Sequence, residues 1–66
     1  MASSSVIARV LYDPASQTLA VTFTSGKKYL YTDVPHDVAA ELQTAPSLGQ
    51  YFNWRIRDQF EFREIE

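Results

Sequence analysis

Few side chains in this sequence could carry out catalysis. His36 is the only histidine and precedes Asp37, and a histidine beside a carboxylate can act as a general acid–base pair. Nucleophilic catalysis would also need a serine or cysteine partner, but no serine stands in such a context and the composition contains no cysteine. Asp33, His36 and Asp37 could supply metal ligands, but no further ligand residue lies near them in the sequence. The two glycines, Gly26 and Gly49, are too far apart to form a glycine-rich phosphate-binding loop. We therefore predict a non-enzymatic chain without a metal or cofactor.

Residues suited to binding are better represented, and they include one tryptophan outside the apolar stripe of its predicted helix. Trp54 in such a place is typical of a contact surface, although packing against the C-terminal strand or a sheet edge would explain it equally well. Arg57, three residues later, could stack on the indole ring. The residues predicted to bind RNA or a nucleotide are Lys27, Lys28, Trp54, Arg55 and Arg57.

The charge balance limits this hypothesis. Eight acidic residues outnumber six basic ones, and the isoelectric point is about 5.2. Strong binding to a polyanion depends on a concentrated positive face that displaces counterions. We therefore predict a local basic patch rather than a strong non-specific nucleic-acid binder, and this patch requires the cations of the hairpin and the second helix to lie on one face with Trp54.

Tyr29 and Tyr31 alternate on a predicted strand, where they could form a stacking platform for bases or belong to the core. The register of the preceding hairpin separates these alternatives. A two-residue turn would place Leu30 opposite Val21, whereas a three-residue loop would place Tyr29 there. The longer loop needs Gly26 in a left-handed conformation, and it gathers the aliphatic and aromatic residues on one face. We therefore predict the longer loop and two largely buried tyrosines.

Changes in the hydrophobic period divide the chain into the elements that position these side chains. The predicted elements are strands at residues 6–12, 18–24 and 27–32, helices at 35–44 and from Ser47 onwards, and a short strand within 59–66. Pro35 suits the first helical position, and Ser47 with Gln50 forms a capping box. The fold class is therefore α+β: a three-stranded antiparallel β-meander followed by two short helices packed on one sheet face, with a short C-terminal strand as an addition.

Length and composition describe one small globular domain. The chain has 66 residues, of which 45% are hydrophobic and 14% aromatic, so its composition is not that of a disordered chain. No apolar run approaches the length of about eighteen residues that a membrane span needs. The serine-rich start lacks the features of a signal peptide. We therefore predict a cytoplasmic protein without membrane contact.

The second face of the predicted sheet would expose large aliphatic side chains. If the tyrosines face the helices, the opposite face presents Ile7, Leu11 and Leu30 to water. Such a patch on a small protein is typical of a contact surface, so we predict a homodimer through these residues. Scattered surface leucines, or a cover formed by the C-terminal segment through Phe60 and Phe62, are the alternatives.

Several motifs resemble the KTSC domain family, which is named after the C-terminal segment of some lysyl-tRNA synthetases. In chain order they include Tyr12-Asp13-Pro14, the central Tyr29-Leu30-Tyr31 and the run Gly49-x-Tyr51-Phe52-Asn53. The resemblance covers residues 4–65 as a single domain and leaves residues 1–3, which we predict to be disordered, outside it. Leu11 stands where the family usually has glycine, and the acidic C-terminus replaces a usually basic tail.

The resemblance implies a domain of unknown function for which RNA binding has been suggested. It identifies Tyr29 and Tyr31 as the Y-x-Y motif of the family, here with a structural role. Together with the residues above, it predicts a small non-enzymatic binding module for RNA or a nucleotide. The alternative is a protein-interaction module that forms homo-oligomers and has no role with nucleic acids.

Overall fold

A four-stranded antiparallel sheet carries the helical segments on one side. The computed structural model describes residues 7–65, so the predicted disorder of residues 1–3 lies outside the described residues. The elements are β1 (Ile7–Asp13), β2 (Thr18–Phe23), β3 (Lys28–Tyr31), α1 (His36–Thr44), α2 (Leu48–Tyr51), which continues as a π-helical turn (Phe52–Ile56), and β4 (Phe62–Ile65). The strand order is β1-β2-β3-β4. The α+β prediction is confirmed, with the C-terminal strand completing the meander.

Alternation along the strands gives the sheet an inner face, which contacts the helices, and an outer face on the opposite side. The inner face includes Leu19, Val21 and Tyr31, which are buried with residues of both helical segments. The outer face includes Ala20 and Leu30, which pair with each other across β2 and β3. The two faces therefore follow from one hairpin register.

The β2–β3 hairpin has the predicted register. Val21 pairs with Tyr29. The Phe23 amide donates to the Lys27 carbonyl oxygen at 2.8 Å, which leaves three residues in the loop. Gly26 has a φ of 98°, a conformation that residues with a Cβ rarely adopt. The prediction of a three-residue loop with a left-handed glycine is confirmed.

A β-bulge near the start of β1 changes the face on which this strand begins. The β1–β2 register shifts between Ile7 and Arg9, so Ala8 is an extra residue on β1. The bulge turns Ile7 to the inner face, where it is only 5% exposed. The prediction that Ile7 belongs to an open self-association patch is therefore wrong, because counting in steps of two ignores an inserted residue. Leu11, which is 59% exposed, does lie on the outer face.

The start of α1 differs by one position from the prediction. Pro35 has an extended ψ of 157° and is the N-cap rather than the first helical residue. Its carbonyl oxygen accepts a hydrogen bond from the Ala39 amide at 3.1 Å. This is the first hydrogen bond of the helix, which the N-cap carbonyl accepts. His36 Nε2 donates to the Pro14 carbonyl oxygen at 3.1 Å. The only histidine of the sequence therefore links α1 to the β1–β2 turn.

Ser47 caps the second helical segment, which then widens. The Ser47 hydroxyl oxygen accepts the Gln50 amide at 3.3 Å. In the π-helical turn that follows, the Arg57 amide donates to the Phe52 carbonyl oxygen at 2.9 Å, a bond across five residues. Turns of this kind are rare and often lie at functional sites. Across residues 7–65, the helices are too short or too polar to cross a membrane.

The core lies between the inner face and the helices. Its buried residues are Ile7, Leu19, Val21, Tyr31, Val34, Val38, Ala39, Leu42, Phe52 and Ile56. Tyr12 donates its hydroxyl to the Val34 carbonyl oxygen at 2.6 Å, which ties the loop before α1 to β1. Burial raises the pKa of the Tyr12 hydroxyl, and the carboxylates of Asp13 and Asp37 act in the same direction. The α1 end of the sheet is therefore closed by packing and hydrogen bonds.

Candidate functional site

A cleft of about 480 Å³ opens on the inner face, at the end of the sheet where the β2–β3 loop lies. It is bordered by this loop, by β4 and by the π-helical turn. Its floor consists of the aromatic residues Phe23, Tyr29, Tyr31, Phe52 and Phe62. A cleft of this volume is large enough for a small planar ligand.

Ring contacts hold the aromatic floor in place. The Tyr29 and Phe62 rings are stacked, with centroids 5.2 Å apart and planes 7° apart. Phe62 also lies 5.1 Å from Tyr31, and Tyr31 meets Phe52 edge-on at 5.4 Å. Each such pair is worth about 0.5–1.5 kcal/mol beyond burial, so the cluster is preorganised. Phe62 nevertheless remains 51% exposed and offers aromatic surface to a ligand.

The two tyrosines of the Y-x-Y motif have different environments on the inner face. Tyr31 is only 1% exposed, as predicted. Tyr29 is half-buried, and it contributes to the core and lines the cleft at the same time. Burial raises the pKa of the Tyr31 hydroxyl, and the nearby Arg57 guanidinium partly opposes this rise. Tyr31 is thus a structural support, and Tyr29 belongs to the ligand-accessible surface.

Polar side chains form the rim of the cleft. Lys27 directly follows the β2–β3 loop, and Arg57 follows the π-helical turn. Arg57 Nη1 donates to Asn53 Oδ1 at 3.2 Å, which fixes the guanidinium beside the cleft. Asp58 is the only carboxylate among the lining residues. The rim therefore has two cations and one anion, and it is locally positive in a chain whose net charge is −2.

The side chains of the cleft offer several kinds of binding contact. An exposed aromatic ring can stack on a planar ligand, the two cations can neutralise an attached anion, and the amide and carboxylate can form directional hydrogen bonds. Within residues 7–65, no three metal-binding side chains lie close enough together to hold an ion. The cleft fits a flat, negatively charged organic molecule.

The five residues predicted to bind nucleic acid lie in three different places. Lys27 and Arg57 both line the cleft. Lys28, adjacent to Lys27, lies on the outer face, since neighbouring residues of a strand point to opposite sides. Trp54 and Arg55 lie on the helical side and line other depressions of the surface. The single basic face expected from the sequence is therefore not formed. Of the four predicted cations, Lys27 and Arg57 lie together in the cleft.

Trp54 is 70% exposed, so it does not pack against the C-terminal strand. The predicted stacking of Arg57 on its ring is wrong: the Arg55 guanidinium lies 5.3 Å from the indole centroid, and Arg57 bonds to Asn53 instead. Tyr51 meets the indole edge-on at 6.0 Å. Burial raises the pKa of Tyr51, whose hydroxyl donates to the Glu41 carboxylate. Trp54 and its neighbours thus form a separate exposed feature.

The sequence interpretation missed Phe23, Asn53, Asp58 and Phe62 as residues of the cleft. The alternative in which Phe60 and Phe62 cover the opposite sheet face is wrong, because Phe62 lines the cleft on the inner face and Phe60, which precedes β4, packs against the core. The available signal was the aromatic fraction of 14%, which is high for a core that has room for few rings. Its spatial concentration at one end of the sheet could not be seen in the sequence.

Comparisons with known proteins agree with this fold. A KTSC domain profile matches residues 3–60. The crystal structure of a KTSC domain protein from Yersinia pestis superposes with a TM-score of 0.88 at 33% sequence identity, covering 98% of this chain and 92% of that chain. A protein of Tsukamurella paurometabola is 44% identical over 57 residues, which are 86% of this chain and 85% of that protein.

Larger relatives contain a similar segment. A lysine–tRNA ligase of a Nostoc species is 46% identical over 54 residues, which are 82% of this chain but 10% of the ligase. The chain therefore spans about a tenth of the length of this relative. The profile match, the sequence identities and the shared fold lead to one conclusion: the chain belongs to the KTSC domain family.

Proposed function

We propose that the chain is a non-enzymatic binding module whose cleft holds a nucleobase together with its phosphate, from single-stranded RNA or from a free nucleotide. One observation carries this proposal: the exposed Phe62 ring, stacked on Tyr29, shares a cleft with Lys27 and Arg57. Proteins that bind single strands combine aromatic platforms for bases with cations for the backbone. The cleft has both components within one small space.

Asn53 and Asp58 are suited to the edge of a base. Asn53 Oδ1 accepts a hydrogen bond from Arg57, which leaves its amide N–H₂ group as a donor. The Asp58 carboxylate can accept from an exocyclic amino group of a base. These two groups would orient a base that stacks on Phe62, and the same stacking would favour any of the four bases because each has a π-face.

The expected affinity is modest, and its salt dependence is shallow. Stacking contributes about 1–3 kcal/mol per base. Two phosphate contacts on a single strand predict a slope of about −1.4 in log K against log salt. The acidic isoelectric point is compatible with binding of this kind, because a site for one or two nucleotides needs a local pair of cations rather than a basic surface.

The relatives support single-stranded RNA, rather than a free nucleotide, as the source of the bound base. Lysine–tRNA ligases carry a segment that is up to 46% identical to this chain, and their name states that they act on a tRNA. A module that binds a few unpaired nucleotides would assist such an enzyme.

A matched pair of arginine variants tests the proposal. Binding of a fluorescent hexaribonucleotide to Arg57→Ala should weaken about tenfold, because one phosphate contact is lost. Arg55→Ala removes the same charge two residues away, outside the cleft, and should leave the affinity unchanged. Phe62→Ala should also weaken binding by about tenfold or more, as expected for the loss of a stacking partner. Titration of adenosine and uridine monophosphates then separates a nucleotide site from an RNA site.

Equal weakening by the two arginine variants would overturn the proposal, since it would indicate a general charge effect. Absence of binding to both the oligonucleotide and the mononucleotides at low salt would also overturn it. Trp54 lies outside the cleft, so Trp54→Ala should bind like the unchanged chain. The alternative function, self-association, is supported by a different surface, the outer face of the sheet.

A further inference from the structure

The outer face of the sheet has no helix packed against it in residues 7–65, because the buried residues of the helical segments all belong to the core on the inner face. Leu11 is 59% exposed there, and Leu30 is half-buried. Both leucines lie opposite Ala20, one on each side of it. A continuous apolar line therefore crosses the middle of an open sheet face.

The strand register arranges the outward side chains in three rows across the sheet. The first row contains Arg9, Thr22 and Lys28, and it ends at Ile65 on β4. The second row contains Leu11, Ala20 and Leu30, and it ends at Arg63 on β4. The third row contains Asp13, Thr18, Thr32 and Glu61. Across β1 to β3, the outer face thus changes from basic, through apolar, to acidic over a distance of about 14 Å, the length of four residue steps along a strand.

We infer that two copies of this chain associate through their outer faces, about a two-fold axis that runs along the apolar row. This axis places the middle row of each chain on the same row of its partner, so that the two Arg63 side chains meet at the exposed β4 edge. It also places the basic row of each chain on the acidic row of the other, which gives two complementary contacts between rows against the one Arg63 pair. A two-fold axis along the strands would instead place like charges on like charges. Charge complementarity therefore selects both the partner, a second copy, and its orientation.

The side chains are long enough for this arrangement. Sheets packed face to face lie about 10 Å apart, with their strands rotated by about 30°. Arg9 would then lie over the partner's Asp13. Lys28 would lie over the partner's Thr32 and beside the partner's Glu61. The leucines of the two middle rows would interdigitate between these charged borders.

The size of the face sets the strength of the dimer. Four strands spaced about 4.8 Å apart, with rows over about 14–17 Å, give a projected area of roughly 300 Å² per copy. This is below the roughly 800 Å² per partner of a standard interface. We therefore expect a dimer that forms at micromolar to millimolar concentrations and weakens as salt screens the charged rows.

Sedimentation velocity over a wide concentration range gives the first test. The mass should rise from 7.5 kDa towards twice that value as concentration increases. Leu30→Lys should keep the chain monomeric, because it places a charge in the apolar row. Trp54→Lys is the matched control, since it removes an exposed apolar side chain from the helical side and should leave dimerisation unchanged.

A charge-swap experiment tests the orientation. Lys28→Glu and Glu61→Lys should each weaken dimerisation at least tenfold, because each places like charges on facing rows. An equimolar mixture of these two variants should associate more strongly than either alone, since both facing pairs are again complementary in the heterodimer. Both positions are exposed and neither lines the cleft, so loss of dimerisation and loss of nucleotide binding are measured independently.

Three outcomes would overturn the inference. The chain could remain at 7.5 kDa at all concentrations, Trp54→Lys could abolish the dimer as Leu30→Lys does, or the mixture could associate no better than its components. Circular dichroism of each variant, unchanged from the parent chain, verifies that the charge substitutions leave the fold intact.

Discussion

The two faces of one small sheet leave very different surfaces open to solvent. On β3, Tyr29 and Tyr31 point to the inner face and form part of an aromatic floor, whereas Lys28 and Leu30 point to the outer face. The inner face is open to solvent where the helices do not cover it, and the side chains exposed there are the aromatic rings of the cleft. The outer face has no helical cover in the described residues, and there it exposes aliphatic and charged rows. One choice of hairpin register therefore determines both surfaces, because a slip of one residue would exchange them.

The π-helical turn borders the part of the inner face that remains open. It keeps Phe52 and Ile56 in the core, while Asn53 and Arg57 lie at the rim of the cleft. The helical layer thus seals the α1 end of the sheet and leaves the hairpin end accessible. The comparison indicates that the helices, and not the strands alone, decide where the inner face can contact a ligand.

The largest expected effect concerns the support of the inner face. Tyr31→Ala removes a side chain that is 1% exposed and contacts both Phe52 and Phe62. We expect the free energy of unfolding to fall by about 3–5 kcal/mol, as for other buried aromatic residues. Leu30→Ala, the adjacent residue on the outer face, should lower it by only about 1 kcal/mol. Urea denaturation at a concentration where the chain is monomeric measures both, and equal losses would contradict the assignment of the two faces.

A second pair of variants tests the β-bulge, which places two aliphatic residues of β1 on different faces. Ile7→Ala should lower the free energy of unfolding by about 2–5 kcal/mol, because Ile7 is only 5% exposed. Leu11→Ala should change it by less than about 0.5 kcal/mol, because Leu11 is 59% exposed. Thermal denaturation of the two variants side by side provides the measurement. A larger loss of stability in Leu11→Ala than in Ile7→Ala would contradict the bulge, because it would place Leu11 rather than Ile7 on the inner face.

The smallest effect is a dependence of stability on alkaline pH that originates on the inner face. Burial raises the pKa of Tyr31 above its ordinary value of 10.0, so the folded chain retains a proton that the unfolded chain releases first. The stabilisation is complete below about pH 10 and is lost as the pH rises further, with a slope of at most about 1.4 kcal/mol per pH unit for one group. Tyr31→Phe should reduce this slope in denaturation curves between pH 9 and about 11.

Tyr12 and Tyr51 also have raised pKa values and contribute in the same direction. Some alkaline destabilisation should therefore persist in Tyr31→Phe. A slope that is identical with and without the Tyr31 hydroxyl would show that this hydroxyl is as well solvated in the folded chain as in the unfolded one.

The strands, the hairpin register and the Ser47 cap could be predicted because each depends on residues close in sequence. Val21 and Tyr29 pair as expected, since only the three-residue loop with Gly26 gathers the apolar residues on one face. The bulge at the start of β1 and the π-helical turn could not be predicted. Each inserts one residue into a regular pattern, and the gain that compensates for it comes from core contacts that are distant in sequence.

The candidate site was predictable only in part for the same reason. Residue types suggested aromatic stacking and a few cations, but both Lys27 and Lys28 were predicted to lie on one basic face, and the alternation of side chains along a strand separates them. The meeting of Lys27 and Arg57 in one cleft joins two segments that are 30 positions apart, as does the stacking of Tyr29 on Phe62 across 33 positions. By itself, the sequence determined the local periods, the turn and the two-layer fold class. Only the tertiary structure decided which side chains share a surface, because packing against the helices, rather than local propensity, selects the side of each element that remains open.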